Sequence, residues 1–129
     1  MKRPLLILIS LLSIQFAVLG QTARIVSGPM PGHSAMRTVK IWLQTDIASD
    51  VQIQYWDENN TSEVWTSDIV STTKEDAFTA HFDLDTEPSK TYNYSVILDN
   101  KVVENKETLQ FKSQTLWQYR MDPPTFTFG

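Results

Sequence analysis

Apolar and polar residues alternate along most of this chain. In "TVKIWLQT" the residues Val39, Ile41 and Leu43 share one side, and Lys40, Trp42 and Gln44 the other. The same period of two runs through "DVQIQYWD" (Val51, Ile53 and Tyr55 against Gln52, Gln54 and Trp56) and "AFTAHFDLD" (Phe78, Ala80, Phe82 and Leu84 against Thr79, His81 and Asp83). It continues in "TYNYSVIL" (Tyr92, Tyr94, Val96 and Leu98 against Asn93, Ser95 and Ile97) and "TLQFKS" (Leu109 and Phe111 against Gln110 and Lys112). Successive side chains of a strand point to opposite faces, so each run predicts a strand with one face on a core. Two shorter strands are expected at residues 25–27 and 64–67. No segment beyond residue 20 holds a helical period for three turns.

Turn chemistry separates the runs. Gly28-Pro29 and Pro31-Gly32 are expected to end the first strand. Asp57-Glu58-Asn59-Asn60 joins two strands, and Glu87-Pro88-Ser89 separates the Phe82 strand from the Tyr92 strand. Asp99-Asn100 is a two-residue hairpin signal, because both residues tolerate left-handed backbone angles. About seven short antiparallel strands in roughly 100 residues predict an all-β fold, a fibronectin type III/immunoglobulin-like β-sandwich. With no cysteine in the chain, the disulfide-bonded immunoglobulin type is excluded. Pro88 followed by Tyr92-x-Tyr94-x-Val96 fits the strand whose tyrosine hydroxyl bonds back to the preceding turn. The predicted core contains Val39, Ile41, Val51, Ile53, Phe82, Tyr94, Val96 and Phe111.

The start of the chain reads differently. Lys2 and Arg3 precede an apolar run over residues 5–19, and Val18-Leu19-Gly20 supplies short residues before Gln21. This is the layout of a secretory signal peptide over residues 1–20, the alternative being an uncleaved anchor. Export to a periplasmic or extracellular location follows as an expectation, with no stable membrane span after cleavage. Beyond Gly20 there are fifteen acidic against nine basic side chains, a net charge of −6. An acidic domain without a basic cluster argues against nucleic acid as a partner.

Candidate chemistry is sparse. His33 lies in a Pro/Gly segment and His81 on the polar side of a strand, and neither has a second histidine at metal-ligand spacing. Asp83, Asp85 and Glu87 form a small acidic group that reads as a solubilising edge. No phosphate-binding glycine loop, nucleophile elbow or H-E-x-x-H sequence is present. No catalytic, cofactor-binding or metal-binding residue is therefore assigned, and no cofactor is expected in this chain. Trp42 and Trp56 fall on the sides opposite the aliphatic residues. They read either as contacts to a neighbouring domain, or as rings turned inward at a β-bulge, or with Trp65 as a sugar-binding surface. Asn59-Asn60-Thr61-Ser62, which carries overlapping N-x-[ST] sequences, reads as a polar loop tip.

Taken in order, "IVSGPMPGHSAMRTVKIWLQT", "VQIQYW", "TYNYSVILDN" and "LQFKSQ" resemble the N-terminal domain of the alkaline phosphatase D family, the PhoD-like phosphatases and phosphodiesterases. Ser27-Gly28-Pro29 and Val39-x-x-Trp42-Leu43-Gln44-Thr45 carry the resemblance most clearly. That domain is similar to the fibronectin-like N-terminal domain of purple acid phosphatases. The resemblance implies a β-sandwich accessory domain at 24–114. It further implies that 115–129, "TLWQYRMDPPTFTFG", is a linker and the first strand (Phe126, Thr127, Phe128) of a C-terminal metallophosphatase domain. In the family the metal ligands, for calcium and iron or other divalent ions, begin after this point. The implied partner is thus the catalytic domain of the same polypeptide, with Trp42, Trp56, Trp117 and Tyr119 as candidate interdomain contacts. The reading is of an accessory fragment of a secreted metal-dependent phosphatase, itself without a catalytic centre. The alternative is a complete secreted binding or adhesion module, including a carbohydrate-binding one.

Overall fold

The structure, a computed structural model, describes residues 20–116, 125 and 127. Residues 1–19 of the signal peptide expected at 1–20, Trp117, Tyr119 and the Phe126 and Phe128 positions of the expected final strand lie outside the described residues. Nine strands follow one another: β1 (Ile25–Ser34), β2 (Thr38–Thr45), β3 (Asp50–Asp57), β4 (Asn60–Thr66), β5 (Val70–Ser71), β6 (Thr79–Asp85), β7 (Thr91–Leu98), β8 (Lys101–Val102) and β9 (Leu109–Lys112). There is no helix among the described residues.

The strands form two antiparallel sheets. One has the order β1-β2-β6. The other has the order β4-β3-β7-β8, with β5 extending the β4 edge along β3 and β9 extending the β8 edge along β7. The two sheets close face to face as a β-sandwich of the fibronectin type III kind. The alternation does what it predicts. Val39, Ile41, Val51, Ile53 and Val96 are fully buried, and Phe82, Tyr94 and Phe111 are at most 5 % exposed. Leu43, Ala80, Leu84, Tyr55, Tyr92 and Leu98 complete the layer between the sheets.

Asp99 and Asn100 turn the hairpin between β7 and β8 with φ of 47° and 64°, and Leu98 pairs with Lys101 across it. Two consecutive left-handed residues match the twist of the strands they join. The last strand is split into β8 and β9. Val103 still donates to the Val96 carbonyl at 2.8 Å, but residues 104–108 leave the sheet before Leu109 rejoins β7 opposite Tyr94. This split and the short β5 account for nine strands where about seven are expected.

Three local expectations need correction. Gly28-Pro29 and Pro31-Gly32 do not end the first strand, which runs on to Ser34 with breaks in register at Ile25/Ser27, Ser27/Met30 and Pro31/Ser34. The strand is at an edge, where a proline without an N–H can face away from the ladder. Gly28 takes φ of 81°, and a Cβ there would lie 2.8 Å from the Trp42 carbonyl oxygen. Phe78 is not the first inward residue of β6. It ends a turn in which both Ala77 (φ 53°) and Phe78 (φ 57°) are left-handed, and its carbonyl accepts from the Thr45 N–H at 3.0 Å. Asn60-Thr61-Ser62 is not a loop tip but the start of β4, which is exposed along its whole length.

At the pole where β2 ends, three hydroxyls satisfy one another and the backbone. Thr45 Oγ1 and Thr72 Oγ1 lie 2.9 Å apart, and Thr72 Oγ1 also accepts from the Ser49 N–H at 3.0 Å. Thr45, Ser49 and Thr72 are all buried. Buried polar groups persist where they find partners.

Candidate functional site: the pole where the chain leaves the sandwich

The opposite pole collects the ends of β1, β3, β6 and β9 and the starts of β2 and β7. Its floor is aromatic. Tyr55 on β3, Trp65 on β4, Tyr92 on β7 and Phe111 on β9 project into the space between the sheets. Tyr92 stacks on Phe111 at 5.4 Å, Tyr55 meets Tyr92 edge-on at 5.9 Å, and Trp65 covers both tyrosines at 5.6 and 6.2 Å. Register explains the set, because Tyr55 pairs with Trp65 on one side and with Tyr94 on the other. The Tyr55 and Tyr92 phenols both find backbone partners. Tyr55 donates to the Asp85 carbonyl at 2.9 Å. The Tyr92 oxygen accepts from the Glu87 N–H at 2.9 Å, the bond back to the preceding turn that the sequence suggests. Burial pushes the Tyr55 phenol up, and the nearby Asp85 charge adds to it.

Above the aromatics lies an ionic knot. Lys90 pairs with Asp57 at 2.9 Å and with Glu87, three residues before it. The Asp57 side chain is only 7 % exposed, and its Oδ1 also accepts from the Asn59 N–H at 2.9 Å. Lys90 holds the Asp57 carboxyl below the usual carboxylate range, and the Asn59 N–H adds to this. Glu87 first, then Asp57, raise the Lys90 ammonium.

The third layer is the exit itself. Ser113 is 2 % exposed. Its hydroxyl donates to the Glu87 carbonyl at 2.5 Å and accepts from the Lys90 N–H at 3.0 Å. Its own N–H donates to the Lys90 carbonyl at 3.0 Å, and Ser89 N–H donates to the Gln114 carbonyl at 3.0 Å. On the other side Ser34 Oγ donates to the Lys112 carbonyl at 2.7 Å, and Gln114 N–H reaches the Ala35 carbonyl at 3.2 Å. Sequence reasoning missed Ser113, Ser34 and Lys90. Their partners are up to 78 residues away in the chain, and no local pattern marks them.

The tryptophans do not share a surface. Trp42 is half-buried on the outer side of the β1-β2-β6 sheet, in register with Met30 and His81. Trp56 is half-buried on the outer side of the other sheet, between Val64 and Asn93. Neither ring turns into the core. Trp65 lies on the inner side and is 38 % exposed at the edge of a groove of about 280 Å³, which Glu63, Asp85, Thr86, Glu87 and Lys90 also line. A three-tryptophan platform is therefore not formed. His33 and His81 border one shallow depression beside Trp42, and the ion pair of Lys40 with Asp83 lies there at 2.5 Å.

Among the described residues no three histidine, aspartate or glutamate side chains converge as metal ligands. The donors among the described residues do not fit a calcium or iron centre, and no chemical step is assigned to one. Among the described residues, too, no helix is long and apolar enough to cross a membrane.

Comparison with known proteins places this architecture. The sensor domain of the anti-sigma factor RsgI4 from Pseudobacteroides cellulosolvens superposes over 75 % of this chain and 99 % of its own, with a TM-score of 0.54 and 16 % identity. A longer version of that domain covers 80 % of this chain and 100 % of its own, at 0.55 and 17 %. PhoD superposes with a TM-score of 0.55 and 14 % identity over 67 % of this chain, but over only 18 % of the PhoD chain. At these identities the likeness is one of fold. No curated protein matches the sequence. A family model does match residues 22–116, which includes all nine strands of the sandwich. The chain belongs to the DUF7800 family, a domain of unknown function.

Proposed function

We propose that this chain is the accessory sandwich of a secreted, metal-dependent phosphatase or phosphodiesterase of the alkaline phosphatase D kind, and that it supports and orients a catalytic domain that follows it. The observation that carries the reading is the exit pole. Residues 112–114 are held from two sides by β1 and by the loop before β7, as a domain that sets the position of another requires. The match to part of PhoD and the Ser27-Gly28-Pro29 and Trp42-Leu43-Gln44-Thr45 sequences support it. The metals and the substrate belong to the following domain, and its proposed contacts are Trp117, Tyr119 and one of the two outer-face rings, Trp42 or Trp56. Because Trp42 and Trp56 lie on opposite faces, a single compact neighbour contacts one of them at most. Export to the periplasm or the extracellular space belongs to the same proposal.

The test is the reading frame beyond the Gly129 codon. A continuation with a Gly-Ser-Cys-like segment and a metallophosphatase sequence supports the proposal, and a stop codon in the native gene rejects it. Assays of this chain alone with calcium, iron, zinc or magnesium should show no phosphoester hydrolysis.

A second reading has its own observation. The sandwich accounts for essentially the entire length of a sensor domain in RsgI4, so in that protein this architecture forms a sensor domain by itself. The groove beside Trp65 is where such a module would bind, and glycan-array binding lost in Trp65→Ala would favour it.

A further inference from the structure

We infer that Ser113 is a positioning residue: its buried hydroxyl locks the departing chain to the loop before β7, so that the direction in which the polypeptide leaves the sandwich is fixed through Gln114. The inference rests on the accessory-domain reading for its purpose, but its geometry stands by itself. A strand end that merely frays has exposed backbone groups bonded to water. Here the opposite holds. The Ser113 oxygen is bonded as donor and as acceptor to one loop, to Glu87 and Lys90. The Ser113 and Lys112 peptide groups are bonded to Lys90 and Ser34. Both backbone polar groups of Gln114 are used, its carbonyl by Ser89 and its N–H by Ala35. Three consecutive residues beyond and at the end of β9 thus have partners on two separate elements, one from each sheet's neighbourhood. Two partners on opposite sides fix an orientation where one would leave a hinge.

The loop that receives Ser113 is itself immobilised. Ser89 takes φ of 62° at its apex. Glu87 is held by the Tyr92 hydroxyl, and Lys90 by the buried Asp57 carboxylate. The clamp is therefore seated on the core through Tyr92 and Asp57. Serine suits the position because its hydroxyl can give and accept at once, in a space that leaves the residue 2 % exposed.

The chain contains no cysteine, so two introduced cysteines can be labelled without interference. Spin labels at Leu116→Cys, an exposed position just past the clamp, and at Thr66→Cys on exposed β4 report the exit direction in the full chain. A single narrow distance distribution is expected. Ser113→Ala should broaden it, and should speed amide exchange at Ser89 and Gln114 roughly tenfold, the factor expected for one net hydrogen bond, while Ile53 and Val96 exchange as before. Ser34→Ala removes only the bond to Lys112 and should broaden the distribution without unfolding the domain. Broadening in Ser113→Ala alone also supports the inference. If Ser113→Ala does not fold, Ser34→Ala decides. A broad distribution in the parent chain overturns the inference, as does an unchanged width in a folded Ser113→Ala or, where that variant does not fold, in Ser34→Ala. Neither result bears on whether a catalytic domain follows, which the reading frame decides separately.

Discussion

The hydroxyl of Tyr92 accepts a hydrogen bond from the backbone N–H of Glu87 at 2.9 Å. One residue thereby links the core, where the Tyr92 ring stacks on Phe111, to the loop that carries the Lys90 and Ser113 contacts. Tyr92→Phe keeps the ring and removes the acceptor. The expected loss is about 0.5–1.5 kcal/mol, toward the upper end because the Glu87 N–H is left unpaired. Urea unfolding measures it, and an unchanged midpoint would show that the bond contributes nothing to stability.

Phe82 is 4 % exposed in the centre of the sandwich. Phe82→Ala should cost about 3–5 kcal/mol, from lost transfer energy and a cavity that β6 cannot close. A destabilisation below about 1 kcal/mol would contradict the packing described.

Among the described glycines, Gly28 is the one whose backbone demands its identity. Gly28→Ala meets both the φ of 81° and the Trp42 carbonyl at 2.8 Å, and should destabilise by more than about 1 kcal/mol. Gly32→Ala is the control, since an added Cβ there has its nearest neighbour at 3.7 Å. Equal melting temperatures for the two variants would remove the argument.

The Asp57–Lys90 pair sets an acid limb. Asp57 is held below its ordinary value of 3.8 in the folded chain. Its contribution is fully present above that unfolded value and is lost as pH falls through the lower folded one. Thermal melts of the parent chain should drop more steeply below about pH 4 than those of Asp57→Asn, which starts lower and changes less. Parallel curves would place the acid sensitivity elsewhere.

An alkaline limb has the opposite sign. Burial pushes the Tyr94 phenol from 10.0 up to about 12. The folded state keeps its proton where the unfolded state has lost it, so stability falls as pH rises through that interval. Ultraviolet titration of phenolate should show Tyr94→Phe removing a late-titrating group. A tyrosine in that position titrating at its ordinary value would refute the burial argument.

The sequence by itself determined the strands and the interior. A period of two needs no tertiary information, because the residues that alternate are neighbours in the chain and the pleat alone separates them. That is why Val39, Ile41, Val51, Ile53 and Val96 could be placed inside, and why Asp99-Asn100 and Tyr92 could be given their turn and corner roles from local chemistry. What depends on which strand lies beside which was not legible. Pro29 and Pro31 read as strand breakers, and only the position of β1 at an edge makes them harmless. Phe78 kept the alternation but belongs to a left-handed turn. Trp42, Trp56 and Trp65 look alike along the chain, yet three different surfaces receive them, because β2 and β3 lie in different sheets and Trp65 faces inward opposite Tyr55. The clamp at Ser113 is the extreme case. Its bonds join residues 23 to 26 positions apart, and the bond from Ser34 to Lys112 spans 78. Such contacts exist only once two sheets have closed on a common core, and a single serine in the chain carries no sign of them.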